Sequence, residues 1–316
     1  MAKMTLATLK SFVASYVAAA KQAGAWAATT DSITNLLDKI GQQVTIDGSF
    51  QDKLPELDGN DLPLGKTVEE WFVDLTLPQD YDSTGANTLA PSYPSFEAAA
   101  YSYSLGRKMI KTSVPYNNVE RAAITSEDAA NMIAKIVERL TNSESLYRYN
   151  QKKQLLGNAA TKAVAATVSR GQVLAIPADT ATSEAFITQV KEDVEAASFA
   201  SEGTSIGGTL IGAAPSLTLY VKKGVMPVVE VQALAGAFHA ENLALPANVK
   251  VVDDFGNADS KIYAILLDPR GVKLHRDYQA IRTNENGEGD FINYFDHTEN
   301  TGFISKNTFI KVYKSA

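Results

Sequence analysis

The chain has 316 residues, of which 45% are hydrophobic and 21% charged, with a formal net charge of −7 and no cysteine. That length and balance supply enough apolar surface for a folded protein throughout and exclude a disordered chain. Without cysteine there is no disulfide framework, thiolate metal site or thiol nucleophile, and an acidic chain is ill suited to gripping nucleic acid through clustered Lys and Arg.

No run reaches the roughly 18 apolar residues that a membrane-spanning helix needs. Near the N-terminus Leu6, Leu9, Val13, Tyr16, Val17 and Ala20 recur at helical spacing, so Thr5 to Ala23 reads as an amphipathic helix and not as a secretion signal. A second helix opens at Thr30 or Asp31, sets Ile33, Leu36, Leu37 and Ile40 on one face, and stops at Gly41. Asp47-Gly48 and Asp58-Gly59 then mark turns around an acidic loop.

Trp71 to Leu77 reads as a strand, and Pro78 to Pro94 as a long loop punctuated by Pro78, Gly85, Pro91 and Pro94. Beyond it Tyr101, Tyr103 and Leu105 alternate with Ser102 and Ser104, and Lys108, Ile110, Thr112 and Val114 continue as strand. Two strands flanking a polar tip predict a projecting hairpin. Such a ribbon is marginal alone and must rest on something else.

Thr125-Ser126-Glu127-Asp128 offers a capping box, a hydroxyl with a carboxylate three residues on. Ala129, Met132, Ile133, Ile136, Val137 and Leu140 form an apolar stripe behind it, predicting a helix that passes Tyr147 and ends at Gly157-Asn158. At 1.5 Å per residue that is roughly 45 Å. Ser183 opens another helix, with Phe186, Ile187, Val190 and Val194 inward; Leu217 to Lys222 reads as a strand, and Pro227 starts a helix reaching Phe238. Lys250 to Asp253 and Ile262 to Leu267 have the pattern of buried strands. Tyr278 to Thr283 and Phe291 to Phe295 flank a hairpin turn at Asn286-Gly287, and Phe303 to Ile304 and Phe309 to Tyr313 close the chain as strand. Helices and strands mingle without a βαβ rhythm, so the class is α+β.

Chemistry-bearing patterns are sparse. His239, His275 and His297 form no pair at metal-ligand spacing. Asp253-Asp254 reads as a turn leading into Phe255-Gly256; on a strand its two side chains would point to opposite faces. Gly207-Gly208-Thr209-Leu210-Ile211-Gly212 lacks the Gly-Lys-Ser/Thr ending of a phosphate cradle, and there is no Gly-x-Ser-x-Gly elbow. The expectation is therefore no catalytic residue, no metal ligand and no cofactor. From Arg107 to Lys153 nine basic residues outnumber five acidic ones. That excess reads either as a solvated helix face or as a surface that meets the acidic remainder of another copy.

The order of elements (helical arm, projecting hairpin, long capped helix, mixed region ending in strands) resembles the Hong Kong 97 fold of tailed-phage capsids. Several stretches are similar to major capsid proteins of small short-tailed phages: Leu36-Leu37-Asp38-Lys39-Ile40-Gly41, Gln51-Asp52-Lys53-Leu54-Pro55-Glu56-Leu57, Leu64-Gly65-Lys66-Thr67-Val68-Glu69-Glu70, Tyr101-Ser102-Tyr103-Ser104-Leu105-Gly106-Arg107-Lys108, Gln154-Leu155-Leu156-Gly157 and Leu266-Leu267-Asp268-Pro269-Arg270-Gly271. The resemblance implies an N-terminal arm over 1–66, an extended-loop hairpin over 67–115, and a peripheral domain with its spine helix over 116–164. It further implies an axial domain over 165–267, returning peripheral strands over 268–300 and a C-terminal strand over 301–316. On a chain of this length it implies no appended decoration domain.

Its functional implication is assembly and not catalysis. Copies would form pentamers and hexamers of an icosahedral shell enclosing double-stranded DNA without reading its sequence, with scaffold and portal proteins as partners and no membrane. The place would be the virion capsid, assembled in the host bacterial cytoplasm. Trp71, Phe72, Tyr101 and Tyr103 would anchor the hairpin on a neighbour, Arg107, Lys108 and Lys111 would meet acids across the interface, and Met132, Ile133, Ile136, Val137 and Leu140 would seat the spine helix. An encapsulin-type compartment shell shares the resemblance. From a different class, a soluble metal-dependent or acid-base hydrolase would use His275 with Asp253 or Asp254.

Overall fold

The computed structural model describes residues 50–63, 67–73, 96–101, 103–115, 126–166, 170–199, 201–202, 209–210, 217–236, 248–289 and 291–316, with isolated positions 78, 80, 91 and 93. The two N-terminal helices expected before residue 50, the hydroxyl of the expected capping box at Thr125, and His239 lie outside the described residues. The chain divides into two compact units, Met1–Asp52 with Gly106–Arg148 and Tyr278–Glu299, and Lys53–Leu105 with Tyr149–Asp277 and Asn300–Ala316.

In the first unit strand β4 (Lys108–Pro115, preceded in chain order by the strands β1 to β3 of the second unit) runs antiparallel to the opening of a long strand, Phe291–Ile304. The register pairs Phe291 with Pro115 and Thr298 with Lys108. Val114, Ile292 and Tyr294 are buried there, and Ser113 Oγ donates to Asn293 Oδ1 at 2.6 Å. The long partner strand enters from a turn in which Asn286 Oδ1 accepts the amides of Glu288 and Gly289, so the Asn-Gly signal falls at the observed turn.

The second unit holds the main core. Its five-stranded sheet takes the order β5 (Gly171–Val173), β13 (Ile310–Lys314), β10 (Ile262–Leu267), β8 (Thr218–Lys222), β9 (Asn248–Val252). The strands on either side of β10 run antiparallel to it, while the outermost two pair in parallel. All six residues of β10 are buried, which explains its unbroken apolar run: both faces of a central strand are covered. Strand β9 differs from its expected buried character. It is an outermost strand, and Val251 faces outward.

Helix α2 (Thr180–Ser198) covers one face of this sheet, with Phe186, Ile187, Val190 and Val194 buried as their spacing predicts. Its start is a capping box in which Asp179 accepts from the Thr182 amide and the Thr182 hydroxyl reaches back. The Phe186 ring lies 5.7 Å from that of Tyr263 and 5.6 Å from that of Tyr313. Buried Asp193 is satisfied by the Tyr313 hydroxyl at 2.7 Å and the Lys311 ammonium at 3.3 Å. Helix α3 (Val225–Gly236) connects β8 to β9 and packs against α2.

Helix α1 spans Ser126–Ala165, 40 residues or about 60 Å, contributing Ser126–Arg148 to the first unit and Tyr149–Ala165 to the second. It does not stop at Gly157-Asn158. A Cβ at Gly157 would sit 2.1 Å from the Phe255 carbonyl oxygen, so this glycine admits a neighbouring backbone and does not terminate a helix. Two lysines of the basic stretch are also internal. Lys152 is fully buried and donates to the Leu54 carbonyl at 2.9 Å and to Asp58 at 2.8 Å, and Lys153 is buried beside it in sequence. That part of the positive excess is neither a solvated face nor an outer surface.

Candidate functional site

The hairpin expected from the sequence is present in the second unit. Strand β1 (Val68–Val73) pairs antiparallel with β2 (Phe96–Tyr101), from Val68 against Tyr101 to Val73 against Phe96. The first strand starts three residues earlier than its apolar pattern suggested, and the second is built largely from Ala98, Ala99 and Ala100, whose low strand propensity concealed it. A short strand β3 (Tyr103–Ser104) follows and pairs with Gly302 and Thr301. The continuous strand expected from Tyr101 to Val114 is interrupted at residues 105–107, where Gly106 takes φ +76°.

Alternation decides which side chains the ribbon presents. Val68 and Glu70 share one face with Tyr101 and Ala99, while Glu69, Trp71 and Val73 share the other with Ala98 and Ala100. The first face is tied down. Tyr101 donates its hydroxyl proton to Glu70 Oε2 at 2.7 Å and accepts the Lys306 amide, Ser305 Oγ donates to Glu70 Oε1, and the Tyr101 ring meets Phe303 edge-on at 5.0 Å. On the second face Trp71 is 68% exposed and Val73 58%.

Of the other residues singled out from the sequence, Phe72 and Tyr103 are placed in strands by their backbones alone, as Met132, Ile133, Ile136 and Val137 are in α1; Leu140 is buried in the first unit. Arg107 meets an acid within its own chain, Glu299 at 3.1 Å, with its guanidinium 4.5 Å above the Tyr278 ring. Lys111 stands 5.6 Å over the Phe295 ring, and Lys108 is exposed. Glu70, Phe303 and Ser305 were missed by sequence reasoning. Glu70 lies 235 positions from Ser305, and no local pattern announces that contact.

The candidates for chemistry are structural. Asp253 and Asp254 follow the end of β9, so strand alternation does not apply, and both converge on Lys153, at 2.6 and 2.9 Å. Tyr149 donates a further hydrogen bond to Asp253 at 2.7 Å, and Asp254 accepts the amide of Gly256 in the turn that follows. Burial alone would raise Asp253, but these donors outweigh it and hold its carboxyl down at about 2. Lys153, which burial would lower, is raised by its two carboxylates. An acid–base pair for hydrolysis needs a carboxylate free to take a proton near neutral pH; this one is committed to an ammonium. His275 donates from Nδ1 to the Asn60 carbonyl at 2.9 Å, and His297 stacks on Phe295. Among the described residues no group of His, Asp and Glu could hold a metal ion.

Comparison with known proteins agrees with the order of elements. The family model of the Phi29-like phage major capsid protein matches residues 16–310. The major capsid protein of Bacillus phage PZA is 21% identical over 88% of this chain and 62% of its own length, and that of Bacillus phage B103 is 22% identical over 84% and 59%. The chain thus spans about three-fifths of the length of these curated relatives, which are structural proteins. Among solved structures, the capsid structure of Staphylococcus phage Andhra superposes with a TM-score of 0.71 at 13% identity, over 88% of this chain and 87% of the other. The fold is that of tailed-phage capsids, the Hong Kong 97 type, and the class is α+β as the sequence suggested. With the match running from residue 16 to residue 310, this chain belongs to the family of Phi29-like phage major capsid proteins.

Proposed function

We propose that the chain assembles with copies of itself, as pentamers and hexamers, into an icosahedral shell that encloses double-stranded DNA. The carrying observation is the hairpin, one face of which is pinned through Glu70 and Tyr101 while the other presents Trp71 and Val73 to solvent. In a repeating shell each such face is covered by a neighbour. Trp71, Phe72, Tyr101 and Tyr103 anchor the hairpin in this reading, aromatic residues being those that dominate interfaces. Arg107, Lys108 and Lys111 supply positive charge to the acidic surface of the next copy, and Met132, Ile133, Ile136, Val137 and Leu140 seat the spine helix within its own subunit. The net charge of −7 suits a wall that encloses DNA without holding it. Scaffold and portal proteins are the expected further partners, and the host cytoplasm the place of assembly. Among the described residues no helix is long and apolar enough to cross a membrane.

Size-exclusion chromatography and negative-stain microscopy of the purified chain, across protein concentration and salt, test this. Capsomer-sized rings or closed shells are expected, and Trp71→Asp should reduce their yield at least tenfold. A chain that stays monomeric under every condition would refute the reading.

A further inference from the structure

The turn that joins strand β11 (Val272–Asn286) to β12 (Phe291–Ile304) holds the single Asn-Gly pair of the sequence, Asn286-Gly287. Gly287, Glu288 and Gly289 are exposed, and a Cβ at Gly287 would meet nothing within 4 Å, so solvent reaches the peptide between Asn286 and Gly287. The Asn286 carboxamide is held in place. Its Oδ1 accepts the amides of Glu288 at 3.0 Å and Gly289 at 3.1 Å. Both donors follow Gly287, so the side chain is folded forward over that peptide, and the ring closed by the first hydrogen bond contains both Cγ of Asn286 and the Gly287 nitrogen.

These are the parts of an acyl transfer within one turn. The Gly287 nitrogen is an intramolecular nucleophile that no side chain of its own screens. Cγ is the electrophile, and the negative charge that develops on Oδ1 falls between two backbone donors already at hydrogen-bond distance. Glu285 and Glu288 oppose loss of the Gly287 amide proton, but both are exposed, so water and salt screen them, whereas the two donors act at contact. Asn293, Asn300 and Asn307 lack the combination: each is buried, and the residues after them are Tyr294, Thr301 and Thr308.

We propose that Asn286 is a site of spontaneous deamidation and isomerisation, with water as the co-reactant. The Gly287 nitrogen gives its proton to a solvent base and bonds to Cγ; the Cγ–Nδ2 bond breaks, ammonia leaves, and a cyclic succinimide remains. Water then opens the ring. Attack at Cγ yields aspartate, and attack at the main-chain carbonyl of residue 286 yields isoaspartate, in which the chain runs through the former side chain. Either product adds a carboxylate beside Glu285 and Glu288, and isoaspartate lengthens the turn by a methylene. The hairpin tip thus gains negative charge with the age of the molecule, whether or not copies have assembled.

The test uses the purified chain, held at mildly alkaline pH, sampled over days and digested with trypsin under mildly acidic conditions. The peptide Thr283–Lys306 carries Asn286 with Asn284, Asn293 and Asn300 as internal controls. Fragmentation mass spectrometry should find the amide-to-acid mass gain at position 286 and at none of the controls, and an isoaspartyl methyltransferase should label the same peptide. In Gly287→Ala the added methyl group meets open space and φ is not left-handed, so the fold stays intact while the reaction should slow at least tenfold. The folded chain should react at least as fast as the chain unfolded in guanidinium at the same pH, because folding supplies the two donors. A folded chain slower than the unfolded one, a Gly287→Ala variant as fast as wild type, or equal modification at Asn284 and Asn286 overturns the assignment.

Discussion

Two parts of the second unit spend their apolar residues in opposite ways. In the five-stranded sheet every residue from Ile262 to Leu267 is buried, and Phe186 fills the space between Tyr263 and Tyr313. In the β1–β2 ribbon Trp71 and Val73 face solvent although the opposite face is hydrogen-bonded to the residues that follow Phe303. The first region stabilises its own fold. The second leaves two apolar side chains largely exposed on one face while its other face is hydrogen-bonded to the chain.

The largest expected effect sharpens that contrast. Phe186→Ala should destabilise the isolated subunit by about 3–5 kcal/mol, the usual loss for a buried aromatic. Trp71→Ala should stay within about 0.5 kcal/mol in the same urea titration, because an exposed side chain gains little from folding. If both variants lost stability equally, the division between a self-sufficient core and a ribbon awaiting cover would be broken.

Lys152 tests how far the self-sufficient region extends. It joins α1 to the acidic segment around Leu54 and Asp58, a segment that the sequence presents only as a polar loop. Lys152→Ala strands a buried carbonyl and removes the partner of a half-solvated carboxylate. About 2–3 kcal/mol should be lost in the same titration. A neutral result would mean that residues 54–58 are a passenger on the core.

These contacts also explain how much could be read beforehand. The spacing of Phe186, Ile187, Val190 and Val194, the apolar run at Ile262 and the Asn286-Gly287 turn are local signals, and each marks an observed element. The hairpin was legible from its polar tip, yet its second strand was hidden by three alanines, and its anchor at Glu70 and Ser305 depends on residues far apart in the chain. Asp253 and Asp254 were read with the geometry of a strand that ends one residue before them. Lys152 and Lys153 looked like surface charge because sequence carries no mark of burial for a lysine whose partners come from elsewhere. Tyr101, Arg107 and Lys111 also meet Glu70, Glu299 and the Phe295 ring of their own chain, contacts that no spacing rule contains.

Gly157 gives a smaller effect with an unintuitive sign. Alanine is a better helix former than glycine by about 1 kcal/mol. Here its Cβ would meet the Phe255 carbonyl at 2.1 Å, so Gly157→Ala should cost about 1–3 kcal/mol through displacement of the turn that follows β9. Thermal unfolding of the variant would reveal the sign directly. An increase in Tm would show that helix propensity outweighs the close approach and that the turn is not part of the rigid core.

The smallest effect is the pH dependence that Asp253 imposes. Its carboxyl is held at about 2, below the ordinary carboxylate value, chiefly because the donors Lys153 and Tyr149 overcome the cost of burial. A depressed carboxylate stabilises the fold above its unfolded value of about 3.9 and loses that contribution as pH falls through about 2. Since the side chain is 43% exposed, solvent screening keeps the gain near or below about 1 kcal/mol. Asp253→Asn should therefore flatten the decline in stability between pH 4 and pH 2, measured by denaturant titration at each pH, and leave the slope above pH 5 unchanged. The same slope in wild type and variant would mean that Lys153 is held by Asp254 alone, and that the turn after β9 is fastened by one carboxylate and not two.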